Sequence, residues 1–229
     1  MGPYAKEEHL ACVIARLLDG AHHAAIGASS PIPATGCLLR KIADPSFRVS
    51  LQQRRAANPF SEGSRELFDL AGQGRIDTFF LGGAQIDGTA AINLVRADGK
   101  RFPGSFGSAF MYPMVPGTIL FREEHSRRTL VPKVEFVSAR GDPKALLTGK
   151  ALFSWQKDRR RFRLESTHEK GDIRPETGFD FDSPVDIPVT PPPSEEELSL
   201  LRGPVAKAIA ADYPDFAKRV WDVSLNSRE

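Results

Sequence analysis

From Glu7 to Asp19 the apolar residues Leu10, Val13, Ile14, Leu17 and Leu18 recur at three- and four-residue spacing, and Gly20 follows. That period predicts an amphipathic helix closed at a glycine. The pattern then shortens. Ala21 to Ile26 is a small, apolar run of the kind that forms a buried strand, and the loop Gly27 to Pro33 ends on a proline suited to opening the next helix, with Cys37, Leu38, Leu39 and Ile42. Phe47 to Gln52 predicts a second strand and Ser64 to Ala71 a helix closed by Gly72 and Gly74. Thr78 to Leu81 is a continuous apolar strand that runs into Gly82 and Gly83, and Gly117 to Phe121 and Val134 to Val137 predict later strands. Strands alternating with helices at this spacing build βαβ units. The expected fold class is α/β, an open and mainly parallel sheet with helices on both faces.

The pattern changes again from Ala151 to Glu165, where two alternating stretches flank a charged turn. This predicts an antiparallel hairpin at the edge of the sheet, with Lys157, Arg159, Arg160, Arg161 and Arg163 as a solvated turn in preference to an anion site. Beyond Pro184 the prolines 188, 191, 192 and 193 form a stiff spacer, and Ser194 followed by Glu197 supplies a capping box for a terminal helix. The expected organisation is an α/β domain over residues 1–183 and a proline arm with terminal helices over 184–229, packed on its own domain or on a partner subunit.

Composition narrows the function classes without choosing one. The chain of 229 residues is 41% hydrophobic and 26% charged, with 31 basic against 29 acidic residues. That balance gives no reason to expect nucleic acid as a partner. No stretch approaches the roughly 18 apolar residues of a membrane span, and no apolar signal core opens the sequence, so a cytoplasmic location is expected. Cys12 and Cys37 each sit in an apolar helical pattern and read as buried free thiols. No His or Cys pair has metal-ligand spacing, and no metal is expected. His22 and His23 open a buried strand and read as hydrogen-bonded core histidines.

Three loops of small residues carry the candidate chemistry: Gly27 to Pro33, Gly82 to Asp87 and Gly104 to Ala109. Ligands in open parallel sheets sit beyond the carboxyl ends of the strands, and glycine lets backbone N–H groups approach a phosphate or an oxyanion. No nucleotide-binding glycine fingerprint is present in the right context.

Gly82-Gly-Ala-Gln-Ile-Asp87 followed by Asn93 resembles the signature of B-type subunits of family I coenzyme A transferases. So do the lead-in from Glu66 to Asp77, the loop Arg101 to Ala109, the segments Glu124 to Arg128 and Lys133 to Val137, and the tail Thr177 to Phe181. The likeness spans roughly Glu8 to Arg202 and is nearest to the glutaconate transferase and ring-cleaving hydrolase branch. It implies an active site built with an A-type subunit, in a heterodimer or heterotetramer, and a coenzyme A thioester as substrate with no permanently bound cofactor. The substrate-binding candidates are Gly82, Gly83, Gln85, Asp87, Gly104, Ser105, Phe106, Gly107 and Ser108. His125, Arg127 and Arg128 lie in a matched segment, where the arginines either reach phosphates or make structural ion pairs.

The resemblance also marks a departure. The family's nucleophile is a glutamate at a strand end, and anchoring that strand on Asp44-Pro45 puts Gln52 there, within a run from Val49 to Arg55 that holds no acid. An amide cannot form the acyl anhydride. The runner-up, Glu62 in Ser61-Glu-Gly63, falls about ten residues late and reads as a helix N-terminal carboxylate. The expected function is therefore a subunit of an enzyme acting on acyl-CoA, hydrolytic or carbon–carbon bond cleaving. The alternatives are a true transferase using Glu62 and a non-catalytic acyl-CoA-binding scaffold.

Overall fold

A computed structural model describes residues 3–54 and 60–223, and divides the chain into a first unit, 1–66 with 192–229, and a second, 67–191. Arg55, at the end of the acid-free run, lies outside the described residues.

In the first unit, α1 (Lys6–Leu17) begins without a hydroxyl cap. Glu8, its third residue, reaches back and accepts the Ala5 N–H at 2.8 Å. The buried face of α1, with Leu10, Val13 and Ile14, packs on α2 (Pro31–Ala43), which opens two residues before the predicted Pro33. Around α2 run β1 (His23–Ile26) and β2 (Arg48–Leu51), paired in parallel from His23 opposite Arg48 to Ile26 opposite Leu51. This is the expected βαβ crossover. His23 is buried, with Nε2 2.8 Å from Ser50 Oγ, as a core histidine should be.

The second unit takes over within α3 (Ser64–Gly72). β3 (Thr78–Leu81) is followed by three short strands, β4 (Gln85–Asp87), β5 (Ile92–Asn93) and β6 (Arg96–Ala97), the last in a hairpin with β7 (Lys100–Arg101). Then come α4 (Ser108–Met114), β8 (Ile119–Arg122), β9 (Leu130–Val131), β10 (Ala145–Thr148), β11 (Ala151–Gln156) and β12 (Arg161–Thr167). In this unit the main sheet runs β12-β11-β10-β8-β3, with β3, β8 and β10 mutually parallel and β11 and β12 antiparallel. The predicted edge hairpin is β11–β12, turning at Lys157 to Arg160. A small second sheet, β5-β4-β9, stands apart from it. The chain is thus an α/β protein with a mainly parallel sheet.

One predicted strand is absent. Val134 to Val137 does not join a ladder, because its N–H groups go to side chains: Val134 N donates to Asp87 Oδ2 at 3.2 Å and Glu135 N to Gln85 Oε1 at 3.1 Å. The strand that pairs with β4 comes earlier, as β9.

The terminal helices return to the first unit. Ser194 Oγ accepts the Glu197 N–H at 3.1 Å, the predicted capping box, and starts α5 (Glu195–Leu200). A π turn over Leu201–Val205 contains Pro204, which lacks the N–H a regular helix would need there. α6 (Ala206–Asp212) packs on α2, and α7 (Pro214–Trp221) follows. Glu8 ties these helices to α1. Burial alone would raise its carboxyl, but Arg202 at 2.8 Å, the Ala5 N–H and Trp221 Nε1 at 3.0 Å hold it below the usual range. Cys12 and Cys37 are buried free thiols. Burial pushes Cys12 up to about 12 and Cys37 well above its usual value, so neither is a nucleophile at neutral pH. No described helix is long and apolar enough to cross a membrane.

Candidate functional site

The predicted site residues fall into two groups, one in each unit. Gln52 belongs to the first. It stands one residue past β2, at the carboxyl end of the strand, where its N–H continues the ladder by donating to Ile26 O at 3.0 Å. Its side-chain Nε2 is shut off from solvent and has no hydrogen-bond partner among the described residues. Two residues on, Arg54 forms an ion pair with Asp212 on α6 at 2.9 Å, with the Asp212 side chain only 5% exposed. That clamp fixes the chain just beyond Gln52. It escaped the sequence reading because 158 residues separate its partners.

Glu62 has a different setting. Its side chain is 65% exposed and pairs with Arg65 at 3.5 Å. Glu62 lies two residues before α3, while the side-chain bonds at this helix start come from Glu66, whose Oε2 accepts the Glu62 N–H at 3.2 Å and the Ser61 hydroxyl at 3.0 Å. Those bonds, the backbone one first, lower the Glu66 carboxyl.

In the second unit, Gly82 and Gly83 carry the chain from β3 into β4, where Gln85 and Asp87 are both buried. Both side chains are tied into the fold by several hydrogen bonds. Gln85 Nε2 donates to Glu135 Oε1 at 2.8 Å, while Gln85 Oε1 accepts Asn93 Nδ2 at 2.8 Å and Glu135 N at 3.1 Å. Asp87 Oδ1 accepts Thr89 N at 2.9 Å, the Thr89 hydroxyl at 2.7 Å and Ala91 N at 3.3 Å, and Oδ2 accepts Val134 N. Gln85, Asp87 and Asn93 therefore form a polar knot that fixes the loops around β4. Glu135, its fourth member, was hidden by the strand predicted over Val134 to Val137.

The loop from Gly104 to Ser108 is more exposed. Gly104 has φ +122°, a conformation that favours glycine, and Phe106 sits at φ +47° with its ring 67% exposed. A bulky residue in that region costs on the order of 1–3 kcal/mol, a strain that gathers at functional loops. Phe68 from α3 packs beneath, 5.5 Å from the Phe106 ring and 5.7 Å from Phe110. A Cβ on Gly107 would come within 2.2 Å of the Phe68 ring, so glycine is required by this contact whatever a ligand demands. The Ser108 N–H donates to Ser105 O at 2.9 Å, and no backbone acceptor meets the N–H groups of Phe106 and Gly107 among the described residues. Ser108 Oγ is buried with no hydrogen-bond partner among the described residues.

His125 is a fixture. Its Nδ1 lies 2.8 Å from Thr148 Oγ1, its Nε2 3.0 Å from Thr177 Oγ1, and its ring stacks on Phe153. Burial drives it down to about 4, so it is neutral at physiological pH. Arg128 pairs with Glu124 at 2.5 Å, which is the structural reading, whereas among the described residues Arg127 donates to two carbonyl oxygens, those of Pro175 and Thr177, at 3.4 Å. Among the described residues no group of three or more His, Cys, Asp or Glu could hold a metal.

The chain is similar over most of its length to several solved proteins. The decarboxylase AibA/AibB matches at 22% identity and a TM-score of 0.75, covering 96% of this chain and 99% of that one. Glutaconate coenzyme A-transferase from Acidaminococcus fermentans matches at 18% and 0.74, over 88% and 94%. IpdAB of Rhodococcus jostii RHA1 matches at 20% and 0.75, over 88% and 94%. The fold is that of the family I coenzyme A transferase-like proteins. No protein-family model and no curated protein matches the sequence. The hydrogen bonds around β4 give Gln85, Asp87 and Asn93 a structural part in this fold.

Proposed function

We propose that this chain is the B-type subunit of a two-subunit enzyme that acts on acyl-CoA thioesters by hydrolysis or carbon–carbon bond cleavage and not by exchange of coenzyme A. One observation carries the reading: at the carboxyl end of β2 stands Gln52, an amide, with its Nε2 buried and without a hydrogen-bond partner among the described residues. Exchange between two acids needs an enzyme carboxylate to hold the acyl group and then coenzyme A. An amide in that place can orient a substrate oxygen by donating a hydrogen bond, and it cannot form the anhydride. A neighbour in fold is named a decarboxylase, an activity that breaks a carbon–carbon bond, which supports this reading over transfer. The N–H groups of Phe106 and Gly107 are the proposed donors to a developing oxyanion. The proposed partner is an A-type subunit, and the proposed compartment is the cytoplasm.

The test uses the chain co-expressed with an A-type subunit. The complex should turn over an acyl-CoA that the isolated chain leaves untouched, without ping-pong exchange of coenzyme A between acids. Borohydride added during turnover, which reduces a glutamyl-CoA thioester, should leave the mass of this chain unchanged. A reduced peptide containing Glu62 would sink the proposal and make the protein a transferase.

A further inference from the structure

A cavity bordered by Arg127, Arg161 and Arg174 takes no part in the chemistry above. It lies wholly within the second unit, measures about 220 Å³ and is lined on one side by the segment Thr177 to Phe181. Three guanidinium groups around so small a space repel one another unless anions lie between them. The carboxylates nearby fall short of that. Asp182 is shared between Arg159 at 2.6 Å and Arg161 at 3.3 Å, and Asp172 meets Arg174 only at 3.5 Å. Arg127 has no carboxylate partner among the described residues. Arg161 Nε is shut off from solvent and ion-paired with Asp182 Oδ1, with no aligned hydrogen bond among the described residues. The one acid in the lining, Asp180, is exposed. With Asp182 divided between two arginines and Arg127 facing carbonyl oxygens, the cluster holds more positive charge than the carboxylates beside it offset, which an anion from outside the chain would do.

The arginines are also held in place in advance. Arg174 lies over the Phe181 ring at 5.5 Å and donates to Ser183 Oγ at 2.8 Å. Phe179 and Phe181 are wedged against Phe153 and Phe162, with ring centroids 5.2–6.5 Å apart. Gly178 N donates to Leu130 O at 2.8 Å, pressing the segment onto β9. Preorganised guanidinium forks match the paired oxygens of a phosphate, which a lysine ammonium does not. The volume falls below the roughly 300–1,000 Å³ of sites that enclose a whole organic ligand. It suits a small anion or one end of something larger.

We propose that this cavity binds a phosphate-type oxyanion, either free or as the phosphate end of a larger ligand. The inference is independent of the acyl-CoA reading, since its test measures binding and not turnover. Calorimetric titration of the full chain with inorganic phosphate, at ionic strength held constant with chloride, should show saturable one-to-one binding. Arg127→Gln should weaken it roughly 10- to 100-fold, the loss of one or two charge-assisted hydrogen bonds, and Arg127→Lys should weaken it less. Thermal unfolding of each ligand-free variant checks the fold, and should Arg127→Gln not fold, Arg174→Gln, a largely exposed side chain, carries the test. Coenzyme A that competes with phosphate, and loses this competition in the same variants, identifies the end of a larger ligand. Phosphate binding without competition identifies a free oxyanion. No heat beyond that of chloride, or binding left intact in Arg127→Gln, Arg161→Gln and Arg174→Gln alike, overturns the proposal.

Discussion

Two glutamines mark the ends of two strands, and they are in opposite states. Gln85, in the segment that resembles the transferase signature, commits its Oε1 to two donors and one of its two Nε2 hydrogens to Glu135. Gln52, at the position where the resemblance fails, keeps a buried Nε2 with no partner among the described residues. On the proposed reading the segment around Gln85 serves as scaffold, and Gln52 offers a buried donor to a ligand.

The strongest way to break this contrast is at Asp87, which belongs to the same knot as Gln85. Asp87→Ala removes the acceptor of four hydrogen bonds and strands two buried backbone N–H groups, those of Ala91 and Val134. A loss of about 3 kcal/mol or more in urea unfolding is expected. Asp87→Asn keeps Oδ1 but presents N–H to N–H at Val134, for a loss of about 1–3 kcal/mol. A stable Asp87→Ala protein that fails only in ligand binding would return this residue to the binding site.

A second test extends the scaffold reading to His125. Its pKa falls from the ordinary 6.5 to about 4 in the folded protein through burial. Between those values the unfolded chain takes up the proton and the native state does not. The contribution of His125 to stability is therefore complete above pH 6.5 and is lost progressively as pH falls toward 4, by about 1–3 kcal/mol. His125→Gln should flatten that part of the stability–pH curve. An imidazole titrating near 6.5 by NMR would make His125 an available acid–base group.

The architecture was legible in the sequence where a hydrophobic period ran unbroken. β3 spans Thr78–Leu81 as predicted, and the hairpin and the Ser194 cap also fall where the pattern put them. Val134 to Val137 misled because an apolar run looks the same whether its N–H groups meet a ladder or two side-chain acceptors, and only tertiary structure places Asp87 and Gln85 opposite. β10 was passed over although all four of its residues are buried, since Ala145 to Thr148 is too short to show a period. The glycine loops were found, but not the reason for Gly107, which lies in Phe68, 39 positions earlier in the sequence. Arg161 read as part of a solvated turn because its neighbours in the run are basic too. Its place beside Arg127 and Arg174 depends on residues far along the chain.

The smallest expected effect on stability sharpens the comparison most. Gln52→Leu replaces an amide whose nitrogen is buried, with no partner among the described residues, by an apolar side chain of similar size. An unsatisfied buried donor costs about 1–3 kcal/mol, against which the lost contacts of one amide are minor. The isolated chain should therefore keep its stability or gain up to about 1 kcal/mol in urea unfolding, a change of opposite sign to that of Asp87→Ala. The same substitution should depress acyl-CoA turnover by the complex with an A-type subunit, because the donor proposed to orient the substrate is gone. A loss of 2 kcal/mol or more on Gln52→Leu, with turnover of the surviving folded complex unchanged, would make Gln52 a fixture like Gln85. The contrast between the two strand ends would then vanish, and with it the argument that the departure from the family's pattern is where the chemistry changed.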